Sequence, residues 1–361
     1  MGSFISGRVT TSMLTNNYLD GMNKNLSNLQ TINNQLTTGK EISRPSDNPY
    51  KVARTMQLYS SIDANKQYNE NIKDTLNWLD TTDTALGQVT TVFQRIRELM
   101  VSAGNAAYGT QERESINNEV KERVGELGQI LNTTFDGRYI FGGTKVASKP
   151  INVDKTNKNI LSYNTKESDS ILITKNDDGT YKYQKKNASG TYSEVTDADE
   201  IKKLETLKSQ LGANLTTEVS QGVTIDYNVT AQALMQFQDG NESIDAIKLL
   251  SNIVSNLGAD ESTADGKKKV NEVTTNNLSD IDKVINNLLK IRSEVGAKQN
   301  RMESAQSQNE DSNYNMTDIL SKTEDIDWTQ KTIEYYMART VYQASLQVSA
   351  QILPATLLDY L

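Results

Sequence analysis

Four stretches of this 361-residue chain carry residue types and spacings that could do chemistry. Asp177-Asp178-Gly179 resembles part of a calcium loop. In the twelve-residue register of such a loop the first ligand would be Thr174 and the last Lys185, and neither supplies a carboxylate. A hairpin turn is the better reading. Gly39-Lys40 runs into Glu41 and lacks the upstream glycine of a phosphate-binding loop. Asp80 with Asp83, and Glu324 with Asp325 and Asp327, place carboxylates near one another as a glycosidase pair would. They fall in helical, solvent-facing contexts with no aromatic sugar platform beside them in the sequence. The chain has no histidine and no cysteine, which removes the commonest general base, thiol catalysis, disulfides and the commonest zinc ligands. The sequence therefore predicts no catalytic residue, no metal site, no cofactor and no small-molecule ligand.

Charge and hydropathy narrow the partners. A net charge of −8 argues against nucleic acid, and the Lys267-Lys268-Lys269 triplet reads as a solvated helix start. No charged residue occurs from Thr340 to Leu358, but Gln343, Ser345, Gln347, Ser349, Gln351 and Pro354 interrupt that stretch. Lipid would leave those amides and hydroxyls unsatisfied, so a protein partner is expected and not a membrane. Met1-Gly2-Ser3-Phe4-Ile5-Ser6 has neither the basic nor the apolar region of a signal peptide, and none is expected.

The elements that carry these residues are mainly helical. Only 36% of residues are hydrophobic and 6% aromatic, which suits narrow bundles better than one large core. Proline occurs only at Pro45, Pro49, Pro150 and Pro354, leaving long stretches free to be helix. A first helix is predicted over about 8–38, striped by Leu19, Met22, Leu26, Leu29 and Leu36 and stopped by Gly39. Asp47 or Asn48 can cap a second, with Pro49 in its first position. Its stripe passes through Ile72, Leu79, Leu86, Phe93 and Met100. A third follows Gly109-Thr110, where Arg113 stands at the capping-box position counted from Thr110.

From Asp136 to about 230 the period shortens to that of strands, with a helical patch from Ala198 to Leu211 and alternation at Val223, Ile225, Tyr227 and Val229. Helix is expected again at Ser243–Leu257 and from Lys268 to Ser307, with a weak Asn-rich segment near 309–315. The terminal stripe is Ile333, Met337, Val341, Ala344, Val348 and Ile352. The fold class is thus mainly α with a β-rich insert: an elongated helical bundle built from both termini, plus a small central β domain. The expected divisions are terminal coiled-coil segments at 1–45 and 318–361, a helical bundle at 46–145 and 236–317, and an outward β insert at 146–235.

Six segments in order resemble the flagellin superfamily, and its hook–filament junction members in particular. Gln35-Leu36-Thr37-Thr38-Gly39-Lys40-Glu41-Ile42 is similar to the segment flagellins and their relatives share, and Arg44-Pro45-Ser46-Asp47-Asn48-Pro49 to the junction form of the next. Ala85-Leu86 with Gln94-Arg95-Ile96-Arg97-Glu98-Leu99 is common to the superfamily. Gly137-Arg138-Tyr139-Ile140-Phe141-Gly142-Gly143, Val295-Gly296-Ala297-Lys298-Gln299-Asn300-Arg301 and Leu357-Leu358-Asp359-Tyr360-Leu361 again resemble the junction members. The opening Met1-Gly2-Ser3-Phe4 departs from their usual start.

The resemblance implies an extracellular, axial, structural protein of the bacterial flagellum, exported without a cleaved signal peptide. Its implied partners are further copies of itself in a ring, the first hook-associated junction protein, flagellin and a flagellar export chaperone. A divergent flagellin is the alternative within the class, and a secreted helical adhesin or toxin the alternative outside it.

The mechanism expected is folding coupled to assembly, with termini mobile in the lone subunit and ordered in the stack. The expected assembly residues are Leu19, Met22, Leu26, Leu29 and Leu36 at one end, and Leu346, Val348, Ile352, Leu357, Leu358 and Leu361 at the other, with Leu353 among the C-terminal contacts. Residue by residue, an intramolecular core is the simpler reading; the partner reading belongs to the two segments as wholes. Arg95, Arg97 and Glu98 are read as subunit-packing residues, with a helix-surface salt bridge as the plainer alternative.

Overall fold

The computed structural model describes residues 11–42, 44–104, 109–154, 160–164, 170–175, 181–187, 191–240, 242–260 and 263–352. Three helices come first: α1 (Thr11–Thr38), α2 (Pro49–Ala103) and α3 (Thr110–Ile130). A short hairpin, β1 (Thr134–Phe135) and β2 (Arg138–Tyr139), precedes five strands: β3 (Ile151–Asp154), β4 (Ile160–Asn164), β5 (Ser170–Lys175), β6 (Tyr181–Lys186) and β7 (Tyr192–Glu194). Then follow α4 (Ala198–Leu211), the hairpin β8 (Thr216–Ser220) and β9 (Val223–Asp226), α5 (Ala231–Met235), and the hairpin β10 (Gln236–Asp239) and β11 (Glu242–Asp245). The chain closes with α6 (Ala246–Leu257), α7 (Ala264–Thr274), α8 (Asn276–Glu324) and α9 (Trp328–Ile352). The mainly helical class with a central β region is as read from the sequence.

The residues divide into two compact units, Met1–Lys66 with Glu310–Leu361, and Gln67–Asn309. In the second unit the stripe expected on α2 is the core: Ile72, Leu79, Leu86, Phe93, Ile96 and Met100 have no exposed surface. Each such side chain contributes about 1.5–3 kcal/mol by leaving water. Against α2 pack Val120, Val124 and Leu127 of α3 and Ile281, Val284, Leu288 and Val295 of α8, in one cluster with α6. Ion pairs at the helix surfaces tie the same elements. Arg292 reaches Asp83 with two bonds of 3.0 and 3.2 Å, and the Gln299 amide donates to Asp80 at 2.7 Å.

The strands β3 to β7 form one antiparallel meander in sequence order. Ile171 and Ile173 of β5 and Tyr183 of β6 point inward, while β4 is buried along Leu161–Asn164 because it is covered on both faces. β5 ends at Lys175 and pairs it with Tyr181, so Asp177-Asp178-Gly179 spans a hairpin connection whose own residues lie outside those described. Hairpin β8–β9 is fastened by side-chain amides: Asn71 of α2 donates to the Glu218 carbonyl at 3.2 Å, and Asn309 of α8 to that of Val219 at 2.8 Å.

Several boundaries differ from the sequence reading. Gly109, not Thr110, caps α3, which moves Glu112 to the third position, where its carboxylate accepts the Gly109 N–H at 2.9 Å. Ser243 to Asp245 belong to β11, and helix begins only at Ala246. The stretch expected from Lys268 is two helices broken at Thr275, with neither glycine nor proline at the break. The Asn-rich residues 309–315 continue α8 without interruption.

Asp245 stands where β11 meets α6. Its carboxylate accepts the Ile247 and Lys248 N–H groups at 3.0 and 3.1 Å and the Gln236 amide at 2.9 Å. Burial is the largest influence and pushes its pKa above the ordinary 3.8; those hydrogen bonds pull it part of the way back. The folded state therefore holds this proton more tightly than the unfolded one. The contribution of Asp245 to stability falls as the pH rises from its ordinary value through the raised one. Asp245→Asn keeps an acceptor for the cap and removes the titration. The parent's urea midpoint is expected to lose ground against the variant's as the pH rises above the ordinary carboxylate range of about 4. A difference that is flat with pH would contradict this.

Candidate assembly interface

The first unit has almost no interior. Among its described residues the buried apolar side chains are Ile32, Ile62, Leu320 and Ile326. Nearly all the large apolar side chains that stand exposed also belong to it. The contrast with the second unit is one of placement, since apolar residues occur in both.

Two breaks in the helices meet in this unit. α1 ends at Gly39, in a left-handed conformation (φ +73), and α8 ends at Glu324. The segments after them run antiparallel: the Glu41 N–H donates to the Glu324 carbonyl at 2.6 Å, and the Ile326 N–H to that of Gly39 at 3.1 Å. Lys40 sits 2.8 Å from both the Glu324 carboxylate and the Tyr59 hydroxyl, and Tyr59 donates to Glu324 at 2.7 Å. These bonds, Glu324 first and Tyr59 second, hold the Lys40 ammonium well above its ordinary pKa. Asp327 then caps α9, accepting the Thr329 and Gln330 N–H groups at 2.9 and 3.1 Å. The carboxylates Glu324, Asp325 and Asp327 are thus occupied in holding this turn, Asp325 by the Ser321 hydroxyl. Asn48 caps α2, accepting the Lys51 N–H at 3.1 Å, with Pro49 first in the helix as expected.

Beyond the turn α1 and α9 pack together, but not stripe to stripe. Leu19, Met22, Leu26, Leu29 and Leu36 of α1 are half-buried. On α9 Lys331, Tyr335, Ala338, Tyr342, Ser345 and Ser349 are covered, spaced by three and four along one face, with Thr332 and Glu334 half-buried beside them. Its small residues let the helices approach closely enough for the Tyr18 hydroxyl to donate to the Ser345 carbonyl. The apolar stripe lies on another face, in water: Ile333 is 55% exposed, Met337 58%, Val341 51% and Val348 42%. Leu346 is exposed as well. Met337 and Val341 also border a groove of about 450 Å³ against Asn28 and Gln35 of α1. Ile352 is the last residue of α9, and Leu353, Leu357, Leu358 and Leu361 lie outside the described residues.

In the second unit Arg95 bridges Glu98 on its own helix at 3.0 Å and Glu119 on α3 at 2.9 Å. Arg97 bridges Asp282 on α8 at 2.5 Å. These are the surface ion pairs of the plainer reading, formed between helices as well as within one. The cluster of Lys40, Tyr59 and Glu324 was not readable from the sequence, because it forms only when residues far apart in sequence meet.

The described residues hold no cluster of metal-ligating side chains and no helix long and apolar enough to cross a membrane. Comparison with known proteins agrees with an assembly role. The model of the bacterial flagellin N-terminal helical region matches residues 9–146, and that of the C-terminal helical region matches 278–361. Flagellar hook-associated protein 3 of Escherichia coli (strain K12) is 26% identical over 94% of this chain and 94% of its own. Flagellin of Bacillus subtilis (strain 168) is 25% identical over 95% of each. The crystal structure of flagellar hook associated protein-3 from Legionella pneumophila has the same fold, with a TM-score of 0.52 at 14% identity, covering 75% of this chain and 98% of that one. Matched at both terminal helical regions, which together make up more than half of its length, the chain belongs to the flagellin superfamily, and it is similar to flagellar hook-associated protein 3 over nearly its whole length.

Proposed function

We propose that this chain is a structural, non-catalytic subunit of the bacterial flagellum that joins the hook-associated ring to the flagellin filament. The observation that carries the reading is the uncovered stripe of α9. A helix pair that packs through tyrosines and serines while leaving Ile333, Met337, Val341 and Val348 in water is incomplete as a monomer. Copies of the same chain in a ring, with the first hook-associated junction protein on one side and flagellin on the other, complete it. An export chaperone covers the stripe beforehand. The terminal segments order fully on joining these partners, the bundle carries them, and the β insert faces outward. Leu19, Met22, Leu26, Leu29 and Leu36 contribute the N-terminal side of the contact, and Leu346, Val348, Ile352, Leu357, Leu358 and Leu361 the C-terminal side.

Expression in a strain lacking its junction protein tests this: filaments should be retained on the hooks. Rescue of a flagellin-deficient strain instead would make the chain a filament subunit, the alternative that the flagellin match supports only weakly. Arg95, Arg97 and Glu98 serve packing between subunits in addition to their pairs within one. Because the Arg97–Asp282 pair is open to water, Arg97→Ala is expected to change folding stability by less than about 1 kcal/mol. It should nevertheless slow assembly, measured by sedimentation of polymerised subunits. Normal polymerisation would remove Arg97 from the interface.

A further inference from the structure

The second unit has a recess of about 610 Å³ between α2, the β1–β2 hairpin and β8, to which the assembly role assigns nothing. Its wall is aromatic. Trp78 stands edge-to-face with Phe135, at 5.9 Å and 78°, and with Tyr227, at 5.7 Å and 90°. Its rim is polar: Asp74 from α2, and Asp136 and Arg138 from the hairpin tip, are exposed and line the same space. Thr216 and Thr217 of β8 add hydroxyls beside them. The Trp78 indole N–H finds no acceptor, although the residue is only 5% exposed.

We infer that this recess binds a short neutral oligosaccharide. Aromatic surface takes the C–H faces of a pyranose ring, and adjacent carboxylate, guanidinium and hydroxyl groups take its hydroxyls as both donors and acceptors. A purely apolar ligand would leave the rim groups desolvated and unpaired. A simple cation would suit the two aspartates but not Arg138, which calls for acceptor oxygens. Two carboxylates against one guanidinium disfavour an anionic sugar. The volume lies within the range of small-ligand sites, with room for more than one ring. The parts come from three separate regions of the chain: α2, the β1–β2 hairpin, and the segment from β8 to just after β9.

The chain has two tryptophans, so Trp328→Phe leaves Trp78 as the single indole reporter. This full-length variant is titrated with maltotriose, with the trimer of N-acetylglucosamine, and with sialyllactose as the anionic control. A saturable change in Trp78 emission is expected with at least one neutral trisaccharide, half-complete near about 1 mM, and none with sialyllactose. Adding Asp74→Asn and Asp136→Asn should weaken binding at least about tenfold. Both positions are exposed, and asparagine tolerates the left-handed conformation of Asp136 (φ +49), so an unchanged thermal midpoint verifies that the variant is folded. No saturation by either neutral sugar up to about 20 mM would overturn the inference. So would saturation unaffected by the two substitutions, which would place the sugar elsewhere. An emission change that follows protein concentration and ignores sugar would overturn it too, giving the recess to a second copy of the chain.

Discussion

Val341→Asp is expected to abolish polymerisation while leaving the Gln67–Asn309 unit as stable as before. Val341 lies in the middle of the exposed α9 stripe, between Met337 and Ala344. In the lone subunit a carboxylate there meets water, and an exposed substitution of this kind usually changes stability by no more than about 0.5 kcal/mol. In an assembly that covers the stripe, the same carboxylate is buried without a partner. That costs about 3–5 kcal/mol, a loss of roughly two to four powers of ten in association at each such contact. Substitution on the helix's other exposed side supplies the control: Arg339→Asp lies off the stripe and should weaken assembly far less. Critical concentration, measured by sedimentation, and thermal melting of the soluble subunit together read both halves of the expectation. Val341→Asp changes the charge by one and Arg339→Asp by two, so an effect of Arg339→Asp as large as that of Val341→Asp, or larger, would show that net charge matters and the stripe does not.

Gly143→Ala is expected to destabilise the second unit by about 3 kcal/mol or more, from left-handed backbone strain and overpacking together. The residue closes the Gly137-Arg138-Tyr139-Ile140-Phe141-Gly142-Gly143 motif, whose Ile140 and Phe141 are buried in the core. It adopts φ +62, and a methyl group there would stand 2.4 Å from the Gln210 carbonyl oxygen and 2.6 Å from that of Leu211. Those oxygens belong to the last turn of α4, and the next residue, Thr144, is held to the first of them by its N–H at 3.0 Å. Neither backbone can retreat without losing that bond. A fall in thermal midpoint of about 6–12 °C is the expected reading for a unit of this size. Gly137→Ala is the comparison: its φ is +72, but nothing lies within 4 Å of the added methyl group, so only the conformational cost of about 1–2 kcal/mol applies. If the two variants melted alike, the close approach at Gly143 would carry no weight.

Much of this fold was legible because its signals are local. The α2 stripe from Ile72 to Met100 repeats at helical spacing, and every fully apolar position in it but Leu76 is buried. Ala198–Leu211 formed the helix expected of it, and Asn48-Pro49 the cap. The break at Thr275 was not legible, since no residue there disfavours helix strongly. Nor was the continuation through 309–315, where Asn309 is retained in helix by what its amide reaches on β8.

The proposed assembly surface was legible in part. Hydropathy marks the apolar stripe on α9, yet it cannot say that α1 would take the opposite choice and pack on Tyr335, Ala338, Tyr342 and Ser345. That depends on backbone approach and on the turn that Lys40, Tyr59 and Glu324 hold together, a matter of distant residues meeting. The acidic pairs illustrate the same limit. Asp80 and Asp83 read as a carboxylate pair in sequence, and in the fold each is occupied by a different residue of α8.

In the proposed assembly the α1–α9 pair is completed only by neighbouring subunits. Amide hydrogen exchange, followed residue by residue on the monomer and on the polymerised protein, tests it most directly. Residues 11–38 and 328–352 should exchange rapidly in the monomer and slowly in the polymer, while the buried parts of α2 and α8 in the second unit stay protected in both. Equal, strong protection of both terminal helices in the monomer would show them already folded as a finished pair, and the coupling of their order to assembly would be contradicted.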